Sequence, residues 1–184
     1  MTDIMLDIET LGICPNSVIL TIGAIKFNIK DEIKEIKQLK DTKDCFYVRI
    51  NFKSCINLEM EINEDTVNWW EEQSKEAQYE VFKHKDRVDI KEGLTKLSDF
   101  LKNSNTIWAN SPSFDCVILE NAYKLCKLEI PWKFWNLRDT RTVYALGNIK
   151  LKDYSSKTES HNSLYDCYNQ IRALKQSFKN LKLI

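Results

Sequence analysis

The chain lacks an excess of either charge: 27 lysines and arginines stand against 27 aspartates and glutamates over 184 residues. That balance argues against a protein that grips long nucleic acid through a broad positive face, since such binding draws on many cationic phosphate contacts. It leaves room for one that holds only a strand end, where bound metal ions supply local positive charge. No apolar run approaches the roughly 20 residues of a membrane span, and no basic start leads into a long apolar core. No membrane partner is expected, and the expected location is the cytoplasm, or a host's cytoplasm if the chain is phage-encoded. Cys14, Cys45, Cys55, Cys116, Cys126 and Cys167 form no CxxC pair and no zinc-ligand spacing. They read as reduced, mostly buried small side chains. With only two histidines, a zinc phosphodiesterase is disfavoured.

What is present suffices for one globular domain over residues 1–184, with 43% hydrophobic and 11% aromatic residues. Residues 3–11 read as a first strand and 17–28 as a second, with a turn at 14–16. Residues 46–52 read as a third strand, completing an antiparallel meander. The charged stretch 31–43 reads as an exposed hairpin arm or loop. Asn63, with Glu64 and Asp65 behind it, starts a helix carrying Val67, Trp69 and Trp70. On a helix the two tryptophans point about 100° apart, so only one can be fully buried and the other is free to wall a cleft. Residues 90–101 form another helix, 106–110 a fourth strand, and Ser113 caps a helix with Phe114, Val117, Ile118, Ala122 and Leu125 at core spacing. Residues 137–144 hold a last short strand or helix. The final helix, 162–181, turns Leu164, Cys167, Tyr168, Ile171, Leu174 and Phe178 inward. Trp132 and Trp135 read as packing residues, His84 as a solvated residue without a role. Strands first, then alternating helices and strands, make a mixed sheet flanked by helices.

The chemistry concentrates in three places. Asp7 and Glu9, in Asp7-Ile8-Glu9-Thr10, lie two residues apart on a strand and converge on one face. Asp115 follows Asn110-Ser111-Pro112-Ser113-Phe114, where a strand breaks and a helix begins. His161 precedes Asp166 by five positions at the entry to the final helix. Each residue alone has an ordinary structural explanation. In this order and at these separations the segments resemble the DEDDh 3′→5′ exonucleases. Asp7-Ile8-Glu9-Thr10-Leu11-Gly12, Ile22-Gly23-Ala24-Ile25-Lys26-Phe27, Trp69-Trp70-Glu71-Glu72-Gln73-Ser74-Lys75-Glu76-Ala77, Pro131-Trp132-Lys133-Phe134-Trp135, Arg138-Asp139-Thr140-Arg141-Thr142 and His161-Asn162-Ser163-Leu164 extend the resemblance over nearly the whole chain. They are similar to the branch holding the mycobacterial-type exoribonuclease and the exonuclease A of T-even phages. Tyr165 departs from the acidic residue common before the last aspartate.

The resemblance implies an α/β ribonuclease-H-like fold with a mixed five-stranded sheet flanked by helices. It implies Asp7, Glu9, Asp115 and Asp166 as ligands of two divalent cations, Mg²⁺ or Mn²⁺, and His161 as general base. Hard cations prefer carboxylate oxygens, which is why four acids suit this chemistry. Thr10, Leu11, Asn110 and Phe114 are implied as substrate contacts, Phe114 by stacking on the terminal base. The implied partner is the 3′ end of RNA or single-stranded DNA, and the related enzymes suggest a homodimer. Arg138 and Arg141 are candidates for a phosphate or subunit contact, with structural ion pairing as the rival. A catalytically silent binding module on the same fold is the alternative, disfavoured because such a module has no need to gather four acids where a polyanion must approach.

Overall fold

In β1 (Asp3–Thr10) the side chains of Ile4, Leu6 and Ile8 point to one face, and those of Asp3, Met5, Asp7 and Glu9 to the other. The two sets enter different cores on opposite sides of one sheet. The computed structural model describes residues 2–155 and 161–184. Its described sheet has the order β4-β3-β2-β1-β5-β6, with β2 Ile19–Phe27, β3 Cys45–Ile50, β4 Arg87–Val88, β5 Thr106–Ala109 and β6 Leu137–Asp139. β1, β2 and β3 form the antiparallel meander that their alternating patterns predict. β5 runs parallel to β1, and β6 parallel to β5.

The sheet has six strands where five were expected. The extra one, β4, is two residues long and pairs in parallel with β3, too short to carry a periodic signal. Residues 137–144 resolve into both alternatives, β6 followed by a helix at Thr140–Leu146.

One face is covered by two helices, Ile90–Leu101 and Asp115–Leu125, whose Leu94, Leu97, Ile118 and Leu119 are almost wholly buried against Ile4, Leu6 and Ile8. Each such side chain contributes about 1.5–3 kcal/mol relative to exposure. The other face is covered by the long helix Ser163–Asn180, through Leu164, Cys167, Ile171 and Leu174. With the short helices Ile36–Leu39, Phe52–Ile56, Glu64–Glu71 and Lys75–Gln78, the described helices are α1 to α8 in chain order, so these covering helices are α5, α6 and α8, and Thr140–Leu146 is α7.

Four further expectations change. The stretch 31–43 is largely exposed, as expected, but not all arm or loop: α1 lies inside it, and Ile36 and Leu39 are buried in the core beneath α8. Ser113 does not cap α6. Phe114 occupies the N-cap without a side-chain bond, because the Ser113 hydroxyl is engaged with that of Ser111. Val117 is turned partly to solvent and Trp135 is 61% exposed, the latter because it sits in a 3₁₀ turn, Phe134–Asn136, outside the helix periods. Trp132 is buried and donates to Glu120, as a packing residue should. Asn63 caps α3 as its sequence predicts, and Asn162, expected as the first residue of the final helix, caps α8.

One close approach places α8. Gly23 of β2 sits opposite Asp7, and a Cβ added there would lie 2.5 Å from the Ser163 carbonyl carbon and 2.6 Å from the Leu164 nitrogen. Only glycine lets the first turn of α8 rest directly on the sheet.

Candidate active site

β1 ends in the two acids. It pairs with β2 until Glu9, where the register shifts, a local irregularity of the kind found beside functional sites. Asp7 and Glu9 project toward α8, whose first turn brings Asp166 over them. One oxygen from each of Asp7, Glu9 and Asp166 lies within 4.8 Å of the others. Asp115 reaches the same strand from the other side: it is 3% exposed, and its Oδ1 accepts the Ile8 N–H at 3.2 Å. The site therefore sits at the C-terminal ends of the parallel strands β1 and β5, where open α/β sheets present their ligand crevices.

Four carboxyl groups gathered in a largely dehydrated place hold protons tightly, because their charged forms are poorly solvated and repel one another. Burial, then Asp115, Asp166 and Glu9, hold Asp7 well above the ordinary carboxylate range, offset in part by a hydrogen bond from Gln170. Burial, then Asp166 and Asp115, do the same to Glu9. Burial pushes Asp115 up to about 7, and burial pushes Asp166 up to about 7 against hydrogen bonds from the His161 and Asn162 backbone. No cationic side chain bonds to Asp7, Glu9 or Asp166 among the described residues. An all-oxygen cluster of this charge fits a hard divalent cation.

His161 stands at the entry to α8 with φ 64°, a left-handed conformation that turns the chain into the Asn162 cap. Its ring meets Trp69 edge-on at 4.8 Å and Trp70 at 6.0 Å. Burial against them holds its pKa below the ordinary 6.5. Trp70 is 2% exposed and Trp69 40%, the division that their adjacency on a helix predicts. Trp70 Nε1 donates to the Thr10 carbonyl at 2.9 Å, tying α3 to the end of β1.

The expected substrate contacts divide. Thr10 and Leu11 are buried, and the Thr10 hydroxyl donates to the Gly12 carbonyl. Asn110 accepts from the Thr140 hydroxyl. Phe114 is partly buried against the core. Arg138 is spent on the carbonyls of Trp135 and Leu137, whereas Arg141 pairs with Asp139 and donates to Ser111 Oγ. Sequence reasoning missed Gln170, whose Nε2 donates to Asp7 Oδ1 at 2.7 Å, and the hydrogen bond shared by the Thr21 and Ser163 hydroxyls that pins α8 to β2. The one signal for Gln170 is its place four residues after Asp166.

Residues 2–178 match the family model of the Rv2179c-like 3′-5′ exoribonuclease domain. The chain belongs to this family and is a 3′→5′ exonuclease. Among the proteins this exonuclease is similar to is the exodeoxyribonuclease of enterobacteria phage T4, 25% identical, over 97% of this chain and 90% of the phage protein. Among solved structures, the zinc-bound complex of E. coli exonuclease I with single-stranded DNA superposes with a TM-score of 0.64 at 15% identity, covering 97% of this chain. The chain spans only 40% of that exonuclease I. The nuclease domain of 3′hExo, a DEDDh family member bound to rAMP, gives 0.58 at 14% identity and covers 97% of this chain and 92% of that one. These likenesses show the ribonuclease-H-like α/β fold.

Proposed function

We propose that residues 1–184 act as one domain that removes nucleotides from the 3′ ends of RNA or single-stranded DNA, releasing nucleoside 5′-monophosphates with the help of two divalent cations, Mg²⁺ or Mn²⁺. The observation that carries this reading is the meeting of Asp7, Glu9 and Asp166 oxygens within 4.8 Å, with no cationic side chain bonded to them among the described residues. Asp7, Glu9, Asp115 and Asp166 would hold the cations, which when bound supply neutralising charge at the phosphate and lower the pKa of water. His161 is the proton acceptor: burial lowers its pKa from the ordinary 6.5, which favours the neutral imidazole able to take a proton from the attacking water. Trp69, exposed beside it, offers a face on which a terminal base can stack. The family description names RNA and the phage relative's name DNA, so both belong in the test.

That test is digestion of 5′-labelled single-stranded RNA and DNA, side by side, with Mn²⁺ or Mg²⁺. A ladder shortening stepwise from the 3′ end is expected, and a 3′-phosphate should block it. Cleavage of circular single strands at a comparable rate would make the enzyme an endonuclease and end this reading. The homodimer implied by the resemblance belongs to the same proposal, and light scattering at micromolar concentration reads it directly.

A further inference from the structure

Gln170 stands four residues after Asp166 on α8, so the two side chains lie one above the other on the helix face that meets β1. It is 3% exposed, and its Nε2 donates to Asp7 Oδ1 at 2.7 Å across 163 residues of sequence. The Tyr144 hydroxyl donates to the Gln170 carbonyl at 2.9 Å, fixing the turn of helix from which the amide reaches. Among the described residues, the Gln170 Oε1 is buried without a hydrogen-bond partner. With Asp7 ionised, as a cation ligand must be, turning the amide over would set that oxygen against the carboxylate, so electrostatics dictates which end faces Asp7.

A buried acceptor left unpaired destabilises a fold. Packing does not require it, because methionine would fill the same space with no polar oxygen. The chemistry of the donor supplies a reason. A lysine or arginine at this position would neutralise Asp7 and compete with cations for it, and a glutamate would add a fifth acid to a cluster already in mutual repulsion. An amide orients one carboxylate oxygen, leaves the remaining lone pairs free and changes no charge. Resting on the exonuclease reading above, we propose that Gln170 is a positioning residue that locks the Asp7 carboxylate in the orientation needed to hold cations, and so sets the cation affinity of the site.

The experiment is Mn²⁺ titration of the metal-free protein by calorimetry, beside kinetics at limiting and saturating Mn²⁺. Gln170→Met should bind Mn²⁺ about 10–100-fold more weakly. Its activity should demand correspondingly more Mn²⁺, with KM for a single-stranded oligonucleotide at saturating metal within about twofold of wild type. Its metal-free Tm serves as the control for folding, since the variant loses both the unpaired Oε1 and the hydrogen bond to Asp7. Gln170→Asn keeps the amide but withdraws it by one methylene, so it should give the same weakened isotherm even if the methionine variant folds poorly. Wild-type Mn²⁺ affinity in a folded variant overturns the positioning role, whether or not its Tm falls. A wild-type protein that neither binds Mn²⁺ nor shortens strands from the 3′ end fails before any variant is made, and takes the exonuclease reading down as well.

Discussion

His161 carries its own reporter. Its ring lies edge-on to Trp69 at 4.8 Å, and a protonated imidazole at that distance quenches indole fluorescence. Because burial lowers its pKa below 6.5, emission should fall only as the pH drops beneath that value, and His161→Gln should remove the inflection. The same group should set the acid limb of the rate. His161→Ala is expected to lose about 10²–10⁴ in kcat, with the lost inflection in the residual rate separating imidazole from titrating metal-bound water. Near-wild-type turnover in that variant at neutral pH would take His161 out of the chemistry. Asp7 and Glu9 show how far sequence reaches at this scale: a period of two puts them on one face whatever else the chain does. Asp115 and Asp166 carry no such local mark, since a first-turn helix acid is commonplace, and only the family resemblance joined them to the pair. Gln170 was invisible because a glutamine on an amphipathic helix reads as part of the polar face.

At the scale of elements, the position of α8 decides whether the site exists. It brings Asp166 and Gln170 to β1 and rests on Gly23. Gly23→Ala would force the methyl into the Ser163 and Leu164 backbone, atoms that no rotamer change can move aside. We expect a fall in stability of about 1–3 kcal/mol and a loss of activity of at least tenfold from a displacement near 1 Å, measured by thermal melting and by nuclease assay. Unchanged activity would mean that α8 has slack at its N-terminus. The elements that sequence foretold include the ones with clear patterns or caps: β1 to β3, α3, α5, β5, α6 and α8. Among those that escaped are β4, with two residues, the one-turn α1, and the 3₁₀ turn that leaves Trp135 outside. Tertiary pairing creates such elements and local pattern does not.

For the whole molecule, the acid cluster makes stability depend on pH with a defined sign. Asp7 and Glu9 are raised, and Asp115 and Asp166 stand at about 7 against an ordinary 3.8. The native state then holds more protons than the unfolded chain between about pH 4 and 7, so metal-free stability is greatest at the acid end of that window and declines as pH rises through it. With Asp115 and Asp166 each raised from 3.8 to about 7, the decline attributable to the cluster is several kcal/mol, a large change in Tm for a chain of this size. Asp7→Asn should flatten it and raise the metal-free Tm at pH 7. Mn²⁺ should restore the wild type at neutral pH and help the variant much less. A wild-type Tm that climbs between pH 5 and 8 without metal would contradict the cluster as described.

The hydrogen bond between Gln170 and Asp7 closes 163 residues of chain, and that separation has a consequence in time. β1 leaves the ribosome long before α8, and at about 5–20 residues per second the interval is roughly 8–32 s. Through that interval the growing chain owns Asp7, Glu9 and, later, Asp115, but neither Asp166 nor His161, so its cation site is incomplete and it has no proton acceptor. Nothing already synthesised can substitute for α8, because its approach to the sheet at Gly23 is a backbone-to-backbone contact. The cation site is therefore complete only once α8, carrying Asp166 and Gln170, has docked on β1.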